Sequence, residues 1–221
     1  MGKIKIGAWS APSGKIGNLV AGKWRGINFL RSMPEKFTDA NTLLQQEARM
    51  RMRLVVKFLK TCKPVIRLGY LGSSTPTRAA FHAATSYNYH HALTGEFPAL
   101  AVDYPDIMVA RGSLPTSESA SCQAGTPGVI NFTWDAESEM EEAKATDTAI
   151  VLVHNPSRNY SVYRTQGISR QDGSANITVP SLFTGEEVHC YLFFANLAKL
   201  TAKASEEYIS NSMYLGKVTV A

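Results

Sequence analysis

The stretch SGKIGNLVAGKWRGINFLRSMP, residues 13–34, combines glycine, cations and apolar side chains more densely than any other part of the chain. Two runs rich in β-branched, aliphatic and aromatic residues, 16–20 and 24–30, flank a break at 21–23, and this pattern predicts a β-hairpin with its turn at the break. Pro34 ends the second arm, because proline cannot donate to a neighbouring strand. A lone hairpin is marginal in water, so this one is expected to pack against another element, another copy or a partner.

An amphipathic helix is predicted directly after the hairpin, over residues 43–63, with Pro64 ending it. Apolar residues spaced by three and four form one stripe of this helix: Leu44, Ala48, Met52, Val55, Leu59 and Cys62. The opposite stripe carries four cations: Arg49, Arg53, Lys57 and Lys60. This basic stripe is either the solvated face of an ordinary helix or a contact surface for a polyanion or an acidic protein, and the scarcity of acidic residues beside it keeps the second interpretation open.

A second helix is predicted to begin at Thr75 and Pro76 and to end at Gly95, with 66–71 as a bridge between the helices. It contains three histidines: His82, His90 and His91. Metal ligation needs convergent ligands, and neither a His-x-x-x-His pair nor a cysteine pair occurs here, so we expect solvent-facing or core-edge histidines and no metal.

From residue 99 onward the hydrophobic period changes from 3.6 to 2, which indicates β-strands separated by turns. Seven strands are predicted, at 107–114, 128–134, 148–154, 160–165, 175–179, 188–195 and 213–220. The fold class is therefore α+β: an N-terminal β-hairpin with two helices, followed by an antiparallel β-sandwich of the immunoglobulin or fibronectin III kind.

Charge divides the chain sharply. Residues 1–97 carry 15 Lys and Arg against 4 acidic residues, whereas residues 98–221 carry 8 against 14. The step coincides with a turn-like cluster, so we predict two domains, a basic region at 1–97 and a sandwich at 98–221. The sandwich is expected to fold alone, because its strands and Trp134 supply a core.

Composition excludes several classes of protein. The hydrophobic content of 44% is sufficient for a real core, and neither a secretory leader nor a membrane span is evident. Three widely separated cysteines, Cys62, Cys122 and Cys190, favour reduced thiols and synthesis in the cytoplasm.

Three patterns resemble catalytic or binding motifs without completing them. Residues 17–23 fit the glycine and lysine spacing of a phosphate loop, but Trp24 stands where a magnesium-binding Ser or Thr is required. The acidic residues of 135–141 alternate like cation ligands but lack the glycine and the final glutamate of a calcium loop. His189 and Cys190 are adjacent on a strand and should face opposite sides, so they cannot form a nucleophile pair. We predict no enzyme activity and no cofactor.

Two segments resemble a fibronectin type III domain. INFTW at 130–134 is similar to its second strand, whose inward tryptophan is a core landmark. LFTGEEVHCYLFFAN at 182–196 is similar to its E–F corner and sixth strand, although Val188 stands where that family has the corner tyrosine. The resemblance implies a similar topology without the tyrosine hydrogen bond.

The whole chain, from the opening MGKI through SMPEKF at 32–37 and Tyr87-Asn88 to the ending NSMYLGKVTVA at 211–221, resembles the family catalogued as domain of unknown function 6266. Its marks are the glycine-rich opening and the Ser-x-Tyr-Leu-Gly ending. The resemblance implies a protein of Bacteroidetes or their phages, made in the cytoplasm, and it brings no activity or catalytic residues.

We therefore expect a non-enzymatic structural or assembly protein, such as a virion, phage-tail or filament component, that docks protein partners or other copies head to tail through its basic region. The alternative is a nucleic-acid-binding protein that uses the same cations with Trp24 as a stacking surface. A third class is an enzyme whose site is assembled from residues distant in sequence. The predicted contact residues are Lys15, Lys23, Trp24, Arg25, Arg31, Arg49, Arg53, Lys57 and Lys60.

Overall fold

The computed structural model describes residues 2–3, 13–24, 26–33, 39–117, 119–136 and 144–221. The chain forms two compact units, Met1–Leu43 and Leu44–Ala221. Mixed helices and antiparallel sheets give it the predicted α+β class.

The first unit contains a four-stranded antiparallel sheet in place of the single predicted hairpin. Its strands are β1 (Gly2–Lys3), β2 (Gly14–Ile16), β3 (Leu19–Trp24) and β4 (Ile27–Ser32), in the order β1-β4-β3-β2. The predicted turn at 21–23 is wrong, because these residues lie in the middle of β3. The chain reverses instead at Gly17 and Gly26, whose φ angles of 56° and 85° are accessible to glycine at little cost.

Three helices open the second unit, where the sequence predicted two: α1 (Leu43–Thr61), α2 (Lys63–Gly69) and α3 (Ala80–His91). Pro64 begins a helix as well as following one, because a proline in the first turn of α2 loses no hydrogen bond. The predicted bridge at 66–71 is therefore largely helical, and α3 begins four residues later than the predicted Pro76. A short helix, α4 (Leu197–Ala202), lies near the end of the chain.

The described residues after α3 form nine further strands. They are β5 (Leu93–Thr94), β6 (Ala101–Val102), β7 (Ser121–Ala124), β8 (Val129–Thr133), β9 (Thr148–Asn155), β10 (Tyr160–Arg164), β11 (Ser174–Thr178), β12 (Glu187–Ala195) and β13 (Met213–Thr219). β5 pairs with β6, while the others form a three-stranded sheet, β11-β8-β7, and a four-stranded sheet, β10-β9-β12-β13, each antiparallel.

The predicted strand at 107–114 does not form a ladder, and the sandwich begins at β7 instead. The segment is apolar and largely buried, but its backbone hydrogen bonds run to side chains, to the end of α2 and to residues 206–212, where Leu114 forms only an isolated bridge with Ser210. The buried Asn88 amide accepts from the Met108 N–H at 2.9 Å and donates to the Met108 carbonyl at 2.9 Å, while the Arg111 N–H donates to the Gly69 carbonyl. Burial with full hydrogen bonding therefore does not require a strand here.

One hydrophobic core lies between the two sheets. β8 contributes Ile130 and Phe132, and β9 and β12 contribute Val151 and Leu192. Trp134 follows β8 and is buried, and its indole N–H donates to the Arg170 carbonyl at 2.7 Å.

A second core covers the opposite face of the four-stranded sheet of the second unit, β10-β9-β12-β13. Ile150, Leu152, Tyr191 and Phe193 on that face pack with apolar side chains of α1, α2 and α3. β9 and β12 are thus buried on both faces, as their continuous apolar runs require. The predicted domain boundary at 97/98 consequently falls inside the second unit, because the basic helices and the sandwich share this core.

Candidate functional site

The four cations predicted on α1 lie together on the surface. Arg49, Arg53, Lys57 and Lys60 are exposed and line one open groove of about 680 Å³. Apolar groups form the rest of its lining, from Ala48, Met52 and Val56, with Asn159 at one side.

Only half of the predicted apolar stripe of α1 is buried. Val55, Leu59 and Cys62 face the core as predicted, whereas Leu44 is 78% exposed and Met52 is 47% exposed. The core is confined to the C-terminal half of α1, where it also takes in Phe58, which the predicted stripe omitted. Large apolar side chains are therefore exposed beside the basic stripe.

Glu47, the acidic residue nearest to these cations in sequence, does not neutralise the positive charge of the groove. Glu47 pairs with Arg51 one turn along the helix, at 2.8 Å, and Arg51 is not part of the groove. Among the described residues, no ion pair engages Arg53, Lys57 or Lys60. The groove thus combines the positive charge of Arg53, Lys57 and Lys60 with an apolar floor.

In the first unit, strand register places three of the predicted residues on one face of the sheet. Lys15 is paired with Val20, and Val20 with Arg31, so the three side chains share a face. Trp24 lies on the same face of β3 and is 45% exposed.

Two other contact residues were predicted in this unit, Lys23 and Arg25. Lys23 precedes Trp24 in β3 and faces the opposite side of the sheet. Arg25 lies outside the described residues. The face of the sheet that carries Trp24 therefore carries Lys15 and Arg31 together with it.

A polar and aromatic cluster lies beneath the groove, where α1 contacts the four-stranded sheet. The His154 Nδ1 and the Ser161 hydroxyl are 2.8 Å apart, and that hydroxyl is 2.6 Å from the Thr61 hydroxyl of α1. Phe58 packs edge-on against the His154 ring at 4.6 Å. The contact fixes the C-terminal half of α1 on the sheet.

His189 is directly opposite His154 in the ladder and belongs to the same cluster. It stacks on Tyr104 at 4.0 Å and hydrogen-bonds through Nδ1 to the Tyr214 hydroxyl at 2.8 Å. Cys190 faces the core between the sheets, so the predicted opposite orientations of these two neighbours are confirmed.

The Ser161–His154 pair has the residue types of a nucleophile and its base. Both residues are buried, the Ser161 hydroxyl is also engaged by Thr61, and within the described parts of the chain no carboxylate hydrogen-bonds to His154. The geometry is that of a structural contact in which Ser161 and His154 anchor α1 to the sheet. Sequence reasoning missed this cluster, and the only available signal was a histidine and a serine inside apolar strands.

The model of the family of unknown function DUF6266 matches residues 10–216. The chain belongs to this family. No curated protein matches it.

In the described ranges of this DUF6266 member, no group of three His, Cys, Asp or Glu side chains is arranged to hold a metal ion. In the same ranges, no helix is long and apolar enough to cross a membrane. Glu137, Glu139 and Glu141 of the acidic alternation lie outside the described residues.

The anchor predicts a pH dependence of stability. Burial, followed by the charges of His189 and Lys57, lowers the pKa of His154 to about 3 from 6.5. Below about pH 6.5 His154 is protonated in the unfolded chain but stays neutral in the folded chain. The free energy of unfolding therefore has its full value above that pH and decreases as the pH falls below it. We expect a loss of about 2 kcal/mol between pH 7.5 and 5 from this group.

Urea unfolding at a series of pH values measures this loss. His154→Gln keeps a hydrogen-bonding side chain and cannot titrate, so its stability should change less over the same range by about that amount. His82→Gln, at an exposed site, is the control and should follow wild type. Parallel curves for wild type and His154→Gln would contradict the prediction.

Proposed function

We propose that this DUF6266 member is a non-enzymatic assembly protein that docks an acidic protein surface in the groove on α1. The observation that supports this most strongly is the apolar floor within a frame of cations, where Met52 is exposed and Val56 is half-buried. A helix face that only solvated the protein would not need an exposed apolar side chain at Met52.

The composition of the groove favours a protein partner. Arg and Met are enriched at protein interfaces, where an apolar centre excludes water and charges at the edge orient the partner. A phosphate backbone would be attracted by the cations but would leave the apolar floor without a contact.

A second copy of the chain has the complementary charge. Within the second unit, residues 44–97 carry 8 Lys and Arg against 2 acidic residues, while residues 98–221 carry 8 against 14. Contact between the basic helix of one copy and the acidic part of another is heterologous, so it closes into a ring or continues as a filament. Complementary charge accelerates this contact and disfavours like-to-like pairing.

The sandwich fits a structural role of this kind. We take it to be fibronectin III-like: the first, second and fifth of its strands, β7, β8 and β11, form one sheet, and the third, fourth, sixth and seventh form the other. Trp134, just after the second strand, packs inward. A virion, phage-tail or filament component of Bacteroidetes or their phages is the setting that we propose for such an assembly.

The alternative function is nucleic-acid binding by the first unit. It is favoured by Trp24, which is exposed on the face that also carries Lys15 and Arg31, because aromatic rings among cations stack on bases.

Charge reversal in the groove tests the proposal. In the variant, Arg49, Arg53 and Lys60 are changed to Glu, while Lys57 is kept because its charge acts on His154. In the control, three exposed cations elsewhere, Lys63, Arg67 and Lys203, are changed to Glu. At low salt we expect wild type and the control to form oligomers by light scattering, and the groove variant to associate about tenfold or more slowly.

Two outcomes would contradict the proposal. A wild type that stays monomeric at every concentration, or a groove variant that assembles like the control, would exclude docking of copies through this groove. A shift of generic single-stranded DNA by wild type that Trp24→Ala abolishes and the groove variant retains would favour the nucleic-acid function instead.

A further inference from the structure

Two of the three cysteines meet inside the sandwich, on opposite sheets. Cys122 lies on β7 directly opposite Phe132 of β8, which is fully buried, so the two side chains share the inner face. The Cys122 Sγ is 3.4 Å from the Leu215 carbonyl of β13. This contact brings it to the edge of the four-stranded sheet.

Cys190 reaches the same place from β12. It is fully buried in the core between the sheets, and its partner in the ladder is Gly216, the residue after Leu215. The ladder is irregular immediately after Cys190. Leu215 and Gly216 thus place the two side chains next to each other: interaction with the Cys190 thiol lowers the pKa of Cys122, while the same interaction, followed by burial, raises the pKa of Cys190.

The pair is chemically asymmetric. Cys122 is half-buried and so is partly accessible to solvent, whereas Cys190 is enclosed. An accessible thiol of lowered pKa beside a second thiol is the usual arrangement of a reversible redox site. Cys62 differs, because it lies in the other core and burial raises its pKa to about 12.

We propose that Cys122 and Cys190 are a redox site that forms a reversible disulfide between the two sheets. The oxidant is a low-molecular-weight disulfide. The Cys122 thiolate attacks one sulfur of the oxidant and releases the first small thiol, leaving a mixed disulfide on Cys122. The Cys190 thiol loses its proton and attacks the Cys122 sulfur, which releases the second small thiol. Two protein thiols are oxidised and one small disulfide is reduced to two thiols.

The bond fastens β7, the edge of the three-stranded sheet, to β12 in the centre of the four-stranded sheet. It closes a long loop of the chain, which restricts the unfolded state more than a short loop would. The oxidised protein is therefore expected to unfold at a higher temperature than the reduced protein.

Disulfide mapping of the folded wild-type protein tests this site. The folded protein is incubated with oxidised glutathione, remaining thiols are blocked with N-ethylmaleimide during unfolding in denaturant, and the digest is analysed by mass spectrometry. We expect one linked peptide pair that contains Cys122 and Cys190, with Cys62 blocked as a free thiol. Dithiothreitol should remove both the link and the increase in the unfolding temperature.

A control variant and a negative outcome complete the test. Cys62→Ala should form the same bond, whereas Cys122→Ser should form no internal bond. Mapping of wild type needs no substitution, so a variant that fails to fold does not decide the result. The proposal is overturned if Cys122 and Cys190 are both blocked as free thiols after oxidation of the folded chain, or if the link forms only in urea.

Discussion

A chain that begins at residue 99 is expected not to fold, whereas a chain of residues 44–221 is expected to unfold cooperatively. The shorter chain keeps all seven strands of the sandwich but uncovers Ile150, Leu152, Tyr191 and Phe193, which pack under the helices. Burial of one such side chain is worth about 1.5–3 kcal/mol, and the net stability of a domain is only about 5–15 kcal/mol. Exposure of this face therefore removes most or all of the stability.

Tryptophan fluorescence distinguishes the two chains, because Trp134 is the only tryptophan that both retain. Residues 44–221 should show blue-shifted emission from a buried ring and a single unfolding transition in urea. Residues 99–221 should show red-shifted emission and no transition. Cooperative unfolding of the shorter chain would support the domain boundary that charge predicted and contradict the shared core.

Phe58→Ala is expected to destabilise the protein by about 3–5 kcal/mol. The Phe58 ring is buried, and it packs edge-on against His154 at 4.6 Å, Tyr104 at 6.2 Å and Tyr191 at 6.3 Å. The truncation leaves a cavity between α1 and the sheet that these rings cannot all move to fill. Urea unfolding measures the loss.

Met52→Ala is the matched control on the same helix. Met52 is 47% exposed and lines the groove, so its truncation should change the free energy of unfolding by no more than about 0.5 kcal/mol. It should nevertheless weaken docking, because it removes part of the apolar floor. Equal losses of stability in the two variants would contradict the division of α1 into a buried half and an exposed half.

The strands that could be predicted from the sequence are those whose apolar pattern determines which faces of the strand must be buried. β9 and β12 are continuous apolar runs, and such runs are stable only when both faces are covered. β8 shows a clean alternation that ends at Trp134, and it lies within one residue of its predicted start. The start of α1 was predicted at Leu43, where the structure has it.

The errors arose where an alternative partner decided the outcome. The segment 107–114 has the composition of a strand, but the Asn88 amide satisfies the backbone of Met108, and this pairing cannot be read from local sequence. The turn at 21–23 was predicted from Gly22, which lies in β3 beneath the Phe29 ring instead. Glycine permits both a turn and a close approach, and only the register distinguishes them.

The candidate site was predictable as a stripe of cations and not as a groove. Helical spacing places Arg49, Arg53 and Lys57 on one face whatever the tertiary structure. The exposure of Met52 depends on where the core along α1 begins, which the sequence does not specify. The anchor of His154 depends on a contact between residues 100 positions apart in sequence, Thr61 and Ser161.

Zero-length cross-linking between copies tests docking through the groove most directly. Equal amounts of unlabelled and ¹⁵N-labelled protein are mixed at low salt and treated with a carbodiimide, which joins a lysine to a carboxylate only when the two are in contact. We predict linked peptides of mixed isotope that join Lys57 or Lys60 to an acidic residue of 98–221, and far fewer that involve the exposed Lys63 of α2. Mixed-isotope links that are absent, or that are as frequent at Lys63 as in the groove, would contradict the proposed docking.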